Sequence, residues 1–243
     1  MLWNEIIGNF CESKIYGYPE ILNCLSCVFI SLFPYIGLKY ANFKNYRVKN
    51  IMSFIFIAGF TSFGYHWSGY YLFKHLDEIP MIMGIWIGIV HFLSIINTEF
   101  IFTAITNLYF IIILSINAVP KFNFLFPILF GIPCSSLIPL AIAYFIKYRE
   151  TENKIYNKKQ NRSHQLALIG TIICILSAIT WIITECYCNS LLIFGHSIWH
   201  FGMPLGMYYI IAAAEYHEQL KINKNIKVNY LYKIIPVIND KSV

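Results

Sequence analysis

Charge is what this sequence has least of. Only 12% of its 243 residues are Asp, Glu, Lys or Arg, about half the fraction usual in a soluble domain. A conventional water-soluble globule is therefore excluded. A basic start leading into an apolar run is also missing. Residues 1–20 instead contain Glu5, Glu12 and Glu20, which argues against a cleaved leader and leaves the first apolar stretch as its own insertion signal. A second CxxC is lacking too. The lone pair Cys24 and Cys27 lies in an apolar stretch and the other cysteines are scattered, so no structural zinc finger is indicated. The apolar runs show none of the alternation of barrel strands. The net charge of +6 does not point to nucleic acid, because the basic residues lie between apolar runs, where membrane topology accounts for them.

What is present is hydrophobic sequence, 58% of the chain, gathered into long runs. Seven segments stand out, at about 21–38, 51–72, 79–97, 101–118, 123–146, 165–183 and 191–213. Each is near the roughly 20 residues a helix needs to cross the hydrocarbon core, where a helix satisfies its own backbone. The expected fold class is therefore an all-α membrane protein, a single seven-transmembrane-helix bundle filling residues 1–243. Fifteen of the 18 Lys and Arg residues fall on one face of that bundle, in the connections after the first and fifth spans and in the tail after the seventh. Lys14, Lys74 and Lys121 fall on the other. The bias puts the C-terminus in the cytoplasm and the N-terminus outside, lumenal or periplasmic. Residues 1–20 become an extracytoplasmic segment and 214–243 a basic cytoplasmic tail.

Ionisable groups inside spans are costly and are functional candidates by default. Ser62 and His66 in the second span are four residues apart, as are His196 and His200 in the seventh, so each pair shares a helix face. Asp77 and Glu78 open the third span. At ~1.5 Å per residue, His66 lies roughly 9 Å below the outer surface and His196 and His200 roughly 8 and 14 Å below it. Groups from three helices thus share the outer leaflet. Three imidazoles leave the fourth position of a tetrahedral zinc ion open, as in catalytic sites, where zinc makes water a nucleophile toward carbonyls near neutral pH. Asp77 would act as general base or orient a ligand histidine, and Ser62 would hydrogen-bond the developing oxyanion. The residues also admit a haem reading, with His66 and His200 as axial ligands. His91, deep in the third span, reads as a helix-to-helix hydrogen bonder. His75, His164 and His217 read as solvated, and Glu99 and Glu215 as cytoplasmic interface residues.

Several of these residues sit in segments that resemble the alkaline ceramidases, seven-helix amide hydrolases of a superfamily that includes adiponectin-type receptors. N-F-C-E (9–12) followed by P-E-I-L-N (19–23) is similar to the family's Asp-Trp-Cys-Glu and Ala-Glu-x-x-Asn signatures. S-F-G-Y-H (62–66) and L-D-E-I-P-M (76–81) resemble its Ser-x-x-x-His and Leu-Asp-Glu-x-Pro-Met block, with the His-to-Asp spacing kept. H-S-I-W-H (196–200) resembles its terminal His-x-x-x-His, and W-I-I-T-E-C-Y-C (181–188) is a looser likeness. The likeness runs in order from the first span to the seventh.

The resemblance implies zinc on His66, His196 and His200, Asp77 serving the attacking water, and Ser62 steadying the oxyanion. It implies cleavage of ceramide or a similar lipid amide to a fatty acid and a sphingoid base, with the lipid entering from the bilayer. The membrane would be an endomembrane (ER or Golgi) in a eukaryote and the inner membrane in a bacterium; oligomeric state stays open. It also implies a Cys11–Cys188 disulfide, with Cys186 a spare thiol nearby. The family's N-terminal calcium site is altered: Glu12 and Glu20 remain, but Asn9 stands for an Asp, and Lys14 stands near an expected amide ligand. Calcium prefers six to eight oxygens with several carboxylates. The expectation is that the Lys14 ammonium bridges Glu12 and Glu20 in place of Ca2+, the alternative being that Lys14 faces water. The competing functions are a non-catalytic receptor of the same superfamily with structural zinc, and a haem electron carrier.

Overall fold

The computed structural model describes residue 6 and residues 10–96, 100–147, 154–223, 226–232 and 234–239. A short helix, α1 (Cys11–Tyr16), precedes seven long ones: α2 (Ile21–Tyr40), α3 (Tyr46–Ser68), α4 (Tyr71–Ile96), α5 (Phe100–Asn117), α6 (Phe126–Lys147), α7 (Lys154–Cys186) and α8 (Gly195–Ile222). A 3-10 turn, Pro120–Leu125, leads into α6. Each apolar segment expected from the sequence falls largely within one long helix. Three helical stretches, Ile21–Tyr40, Tyr71–Ser94 and Asn161–Cys186, are long and apolar enough to cross a membrane, and Ile101–Asn117 and Ile128–Leu137 are shorter apolar stretches. The helices also turn large apolar side chains outward, such as Leu168, Ile172 and Leu176 on α7 and Ile101, Ile105 and Leu108 on α5. An apolar exterior of that extent fits a lipid surround, not water.

Two expectations are corrected here. Asp77 and Glu78 do not open a helix; α4 already begins at Tyr71. Gly69 is the reason. Its left-handed backbone (φ 69°) caps α3 and its N–H donates to the Tyr65 carbonyl at 2.7 Å, so the chain reverses within two residues. Glycine tolerates that conformation without a Cβ penalty. The second correction concerns the tail from 214 onward. The helix α8 runs on to Ile222, and an antiparallel hairpin follows, β1 (Lys227–Leu231) with β2 (Ile235–Asn239), in register Lys227 to Asn239. The bundle is all-α and this hairpin is its exception.

Helix α8 lies at the centre of the packing, with α7 and α2 as its main neighbours, and the series α2, α3, α4 continues from it. Helices α5 and α6 are joined to the rest through α4. The approach of α7 to α8 depends on paired glycines. A Cβ on Gly206 would lie 2.6 Å from the Gly170 carbonyl oxygen, and one on Gly170 would lie 2.5 Å from the Gly206 oxygen. Small residues of this kind let membrane helices approach backbone to backbone. One core, including Phe33, Val48, Met52, Tyr208 and Ala212, joins α2, α3 and α8 to the hairpin. A second, including Ile82, Ile85, Phe110 and Ile113, joins α4 and α5, with α6 packed against it.

Candidate metal centre

Away from both apolar cores, three imidazoles converge. The i, i+4 spacing puts Ser62 and His66 on the buried face of α3 and His196 and His200 on that of α8. The ring centroids of His66 and His196 are 5.0 Å apart, those of His66 and His200 5.0 Å, and those of His196 and His200 4.5 Å. All three residues are almost fully buried. Two rings have a nitrogen already engaged. His66 Nδ1 meets Glu20 Oε2 at 2.5 Å, and His200 Nδ1 meets the Ser26 hydroxyl at 2.8 Å. His196 Nδ1 is buried without a hydrogen-bond partner.

Helix α2 adds residues that the spacing argument did not include. Cys27, His66 and His200 each offer a donor atom, all within 4.8 Å of one another. The Cys27 thiol donates to the Asn23 carbonyl at 3.1 Å and lies 3.8 Å from His200 Nδ1. His196 stands beside this trio and does not enter it. A signal for α2 was available: Asn23, Ser26 and Cys27 sit at i, i+3 and i+4, a polar stripe on an apolar helix. The CxxC spacing masks it, since Cys27 shares a helix face with Asn23 as closely as with Cys24.

Asp77 and Ser62 are buried with the histidines. Ser62 lies in the neighbourhood of Asp77 and Cys27, and Asp77 Oδ1 has no hydrogen-bond partner. The carboxylate that touches a histidine is therefore Glu20, not Asp77. The neighbouring Glu78 turns away into a separate network, paired with Lys74 at 2.6 Å and hydrogen-bonded by the Asn117 amide. His75 joins it through the Asn117 side chain and is not merely solvated. His91 is buried, and neither ring nitrogen has a hydrogen-bond partner. His217 and Glu215 are buried as well, against the solvated and interfacial readings, and His164 is half-buried. Glu99 lies outside the described residues.

The N-terminal segment covers the histidines. Phe10 packs against His196 in a tilted arrangement with ring centroids 4.1 Å apart and lies 5.2 Å from His66. Trp181 and Trp199 flank His196 at 5.9 and 5.6 Å. Next to Phe10, Cys11 is disulfide-bonded to Cys188, 177 residues away, and Cys186 is a free, exposed thiol. Ile6 forms an isolated antiparallel bridge to Tyr70 in the α3–α4 connection.

The calcium expectation fares differently. Asn9 lies outside the described residues. Glu12 spends both carboxylate oxygens on the first turn of α2, accepting from Leu22 N–H at 2.8 Å and Asn23 N–H at 3.0 Å. There it neutralises backbone donors that have no partner within the helix. Glu20 accepts from the Asn23 amide at 3.0 Å in addition to His66. Burial alone would raise the Glu20 carboxyl, but its contacts with His66 and Asn23 hold it below the usual carboxylate value. Lys14 does not bridge Glu12 and Glu20; its ammonium pairs with Glu185 at 3.3 Å. The Lys14 bridge fails for a plain reason: Glu185 is the carboxylate its ammonium meets, and Glu20 is left with Oε1 buried and without a hydrogen-bond partner.

The donor set tests well against zinc. Imidazole and thiol are the ligand types that ion takes. The buried Cys27, His66 and His200 form a group able to hold a metal ion, and the Nδ1 contacts of His66 and His200 leave their Nε2 atoms available. Haem fits poorly. Axial ligands must approach a porphyrin from opposite faces, whereas the His196 ring packs against both His66 and His200 where a porphyrin would have to lie. The sequence model of the family described as Ceramidase matches residues 7–239. No curated protein matches the chain.

Proposed function

The chain belongs to the ceramidase family, hydrolases of amide bonds, and from that membership we propose that it is a zinc-dependent intramembrane hydrolase of ceramide or a similar lipid amide. The observation that carries the reading is the convergence of three buried imidazoles beside Ser62 and an Asp77 oxygen without a partner. His66, His196 and His200 would hold the ion. Zinc in such a site polarises a carbonyl and makes water nucleophilic near neutral pH. The work left to the chain is proton movement and positioning. Asp77 Oδ1, unengaged and beside the site, takes the proton from the water that attacks the amide carbonyl and returns it to the departing amine. Ser62, in the neighbourhood of Asp77, turns its hydroxyl to the oxygen that gains charge. The C–N bond breaks, and a fatty acid and a sphingoid base leave.

Supporting this reading, Phe10, Trp181 and Trp199 give the site apolar walls that keep bulk water out. We place the site in the outer leaflet of a seven-span bundle, the N-terminus outside and the C-terminus in the cytoplasm, with the lipid entering laterally from the bilayer. The membrane is an endomembrane in a eukaryote or the inner membrane in a bacterium.

A second reading has one observation in its favour. If the Cys27 thiolate joined His66, His196 and His200, zinc would be closed by four protein ligands, as in structural sites. A receptor of the same superfamily would look like that. The experiment is fatty-acid release from ceramide by wild type, His196→Ala and Cys27→Ala, with zinc measured on each. Under the hydrolase reading, His196→Ala loses zinc and turnover, and Cys27→Ala keeps both. Stoichiometric zinc without turnover over a broad lipid panel favours the receptor. Equal turnover by wild type and His196→Ala sinks the mechanism.

A further inference from the structure

We infer that Glu20 is the positioning residue that orients His66 toward the metal, at the position where the family resemblance assigns a calcium ligand. The inference rests on the zinc reading above and extends it to a residue that reading leaves without a task. Glu20 is fully buried at the cap of α2. Two bonds tie it to His66: its backbone N–H donates to the His66 carbonyl at 3.0 Å, and its Oε2 meets His66 Nδ1 at 2.5 Å. A carboxylate on one ring nitrogen fixes the tautomer with the proton on Nδ1, leaving Nε2 as the donor, and makes that donor more basic.

The carboxylate is itself held. Asn23 donates its amide to Glu20 Oε2 at 3.0 Å, and Asn23 Oδ1 accepts from the Ser197 hydroxyl at 3.1 Å. Ser197 follows His196 on α8. The chain Ser197–Asn23–Glu20–His66 thus runs from the turn of α8 that carries one histidine to the α3 histidine opposite, across α2. It sets the spacing between helices that the ligands require. Glu12 is spent on the α2 backbone and Lys14 on Glu185, while Glu20 engages His66 and Asn23 through Oε2 and keeps Oε1 buried without a hydrogen-bond partner.

The test uses purified full-length protein and a zinc chelator competition, with melting temperature followed in parallel. Glu20→Gln is expected to weaken zinc affinity roughly 10- to 100-fold, the range for such outer carboxylates, and Glu20→Asp to recover part of it. Glu12→Gln removes the α2 cap and is expected to lower the melting temperature while zinc affinity holds. Added calcium is expected to change neither quantity in wild type. Equal zinc affinity in Glu20→Gln and wild type overturns the inference and leaves the zinc hydrolase standing. A calcium-dependent zinc affinity that Glu20→Gln abolishes also overturns it, returning Glu20 to calcium. Wild type without stoichiometric zinc defeats the underlying reading and this one together. Should Glu20→Gln fail to fold, Asn23→Ala carries the same test, with a smaller loss of affinity expected and an unchanged affinity overturning it.

Discussion

Near its start, α8 buries His196 and His200 against His66 of α3; near its end, it buries Glu215 and Gln219 against the connection between α2 and α3. The two ends are equally hidden from solvent and differ in what their polar groups touch. At the end, the partners are mostly backbone. Glu215 Oε1 accepts from Lys44 N–H at 2.6 Å, Asn45 N–H at 3.2 Å and the Gln219 amide at 2.6 Å, while Gln219 also donates to the Asn42 carbonyl at 2.7 Å. Tyr208 donates to the Pro236 carbonyl at 2.6 Å, pinning the hairpin. These side chains stitch loops to a helix. At the start, side chains meet side chains from α2 and α3; a His196 nitrogen, an Asp77 oxygen and a Glu20 oxygen are buried there without hydrogen-bond partners, as are Glu215 Oε2 and Gln219 Oε1 at the other end. Neither burial nor an unpartnered atom therefore marks a site; convergence of imidazoles from two helices does.

The largest effects should separate the two ends completely. His200→Ala is expected to abolish zinc binding and ceramide hydrolysis, whereas Glu215→Gln should lower melting temperature and yield while each folded molecule keeps its zinc and turnover. Loss of zinc in Glu215→Gln would erase the distinction. Asp77→Asn sharpens the comparison within the first end. It should lower turnover by roughly 10²- to 10⁴-fold, the usual range for a general base, with zinc content unchanged by metal analysis.

Smaller effects probe what holds the ends in register. Gly206→Leu should force α7 from α8 at the Gly170 contact, a cost on the order of 1–3 kcal/mol for overpacking, read as a drop in melting temperature. Cys11→Ser should cost about 2–4 kcal/mol and loosen the segment carrying Phe10, so turnover should fall along with stability. Unchanged turnover would mean that Phe10 keeps its place on His196 without the bond. Tyr208→Phe should matter least, about 1 kcal/mol for one hydrogen bond, seen as faster proteolysis of the hairpin and unaltered hydrolysis.

Legibility followed the range of the interaction. The spacings of His66 with Ser62 and of His196 with His200 are local, and a helix period assigns each pair to one face. Apolar run length is local too, and each expected segment falls largely within one long helix. Glu20 against His66, Cys27 beside His200 and Phe10 on His196 were not legible, because each contact joins residues 46 to 186 positions apart. Lys14 misled for the same reason. Near Glu12 and Glu20 in sequence, it found Glu185, 171 residues away, as its partner. The hairpin was hidden by composition. Lysines at 221, 224, 227, 233 and 241 read as a charged tail, while Ile226, Ile235, Val237 and Ile238 between them supply a buried face against α8.

By itself, the sequence determined the family, the helical bundle and the residue types of the site, since hydropathy, helix period and motif order are properties of the chain in one dimension. Only the tertiary structure decided which carboxylate serves which partner. Glu12, Glu20 and Asp77 are chemically alike, and their surroundings differ: a helix start for Glu12, an imidazole for one oxygen of Glu20, and for Asp77 a buried place near Ser62 with Oδ1 unpartnered. An uncompensated carboxylate inside a protein is costly, so Glu12 and Glu20 take the donors that packing brings within reach, and the unpartnered Asp77 oxygen stands out as the exception to explain by function.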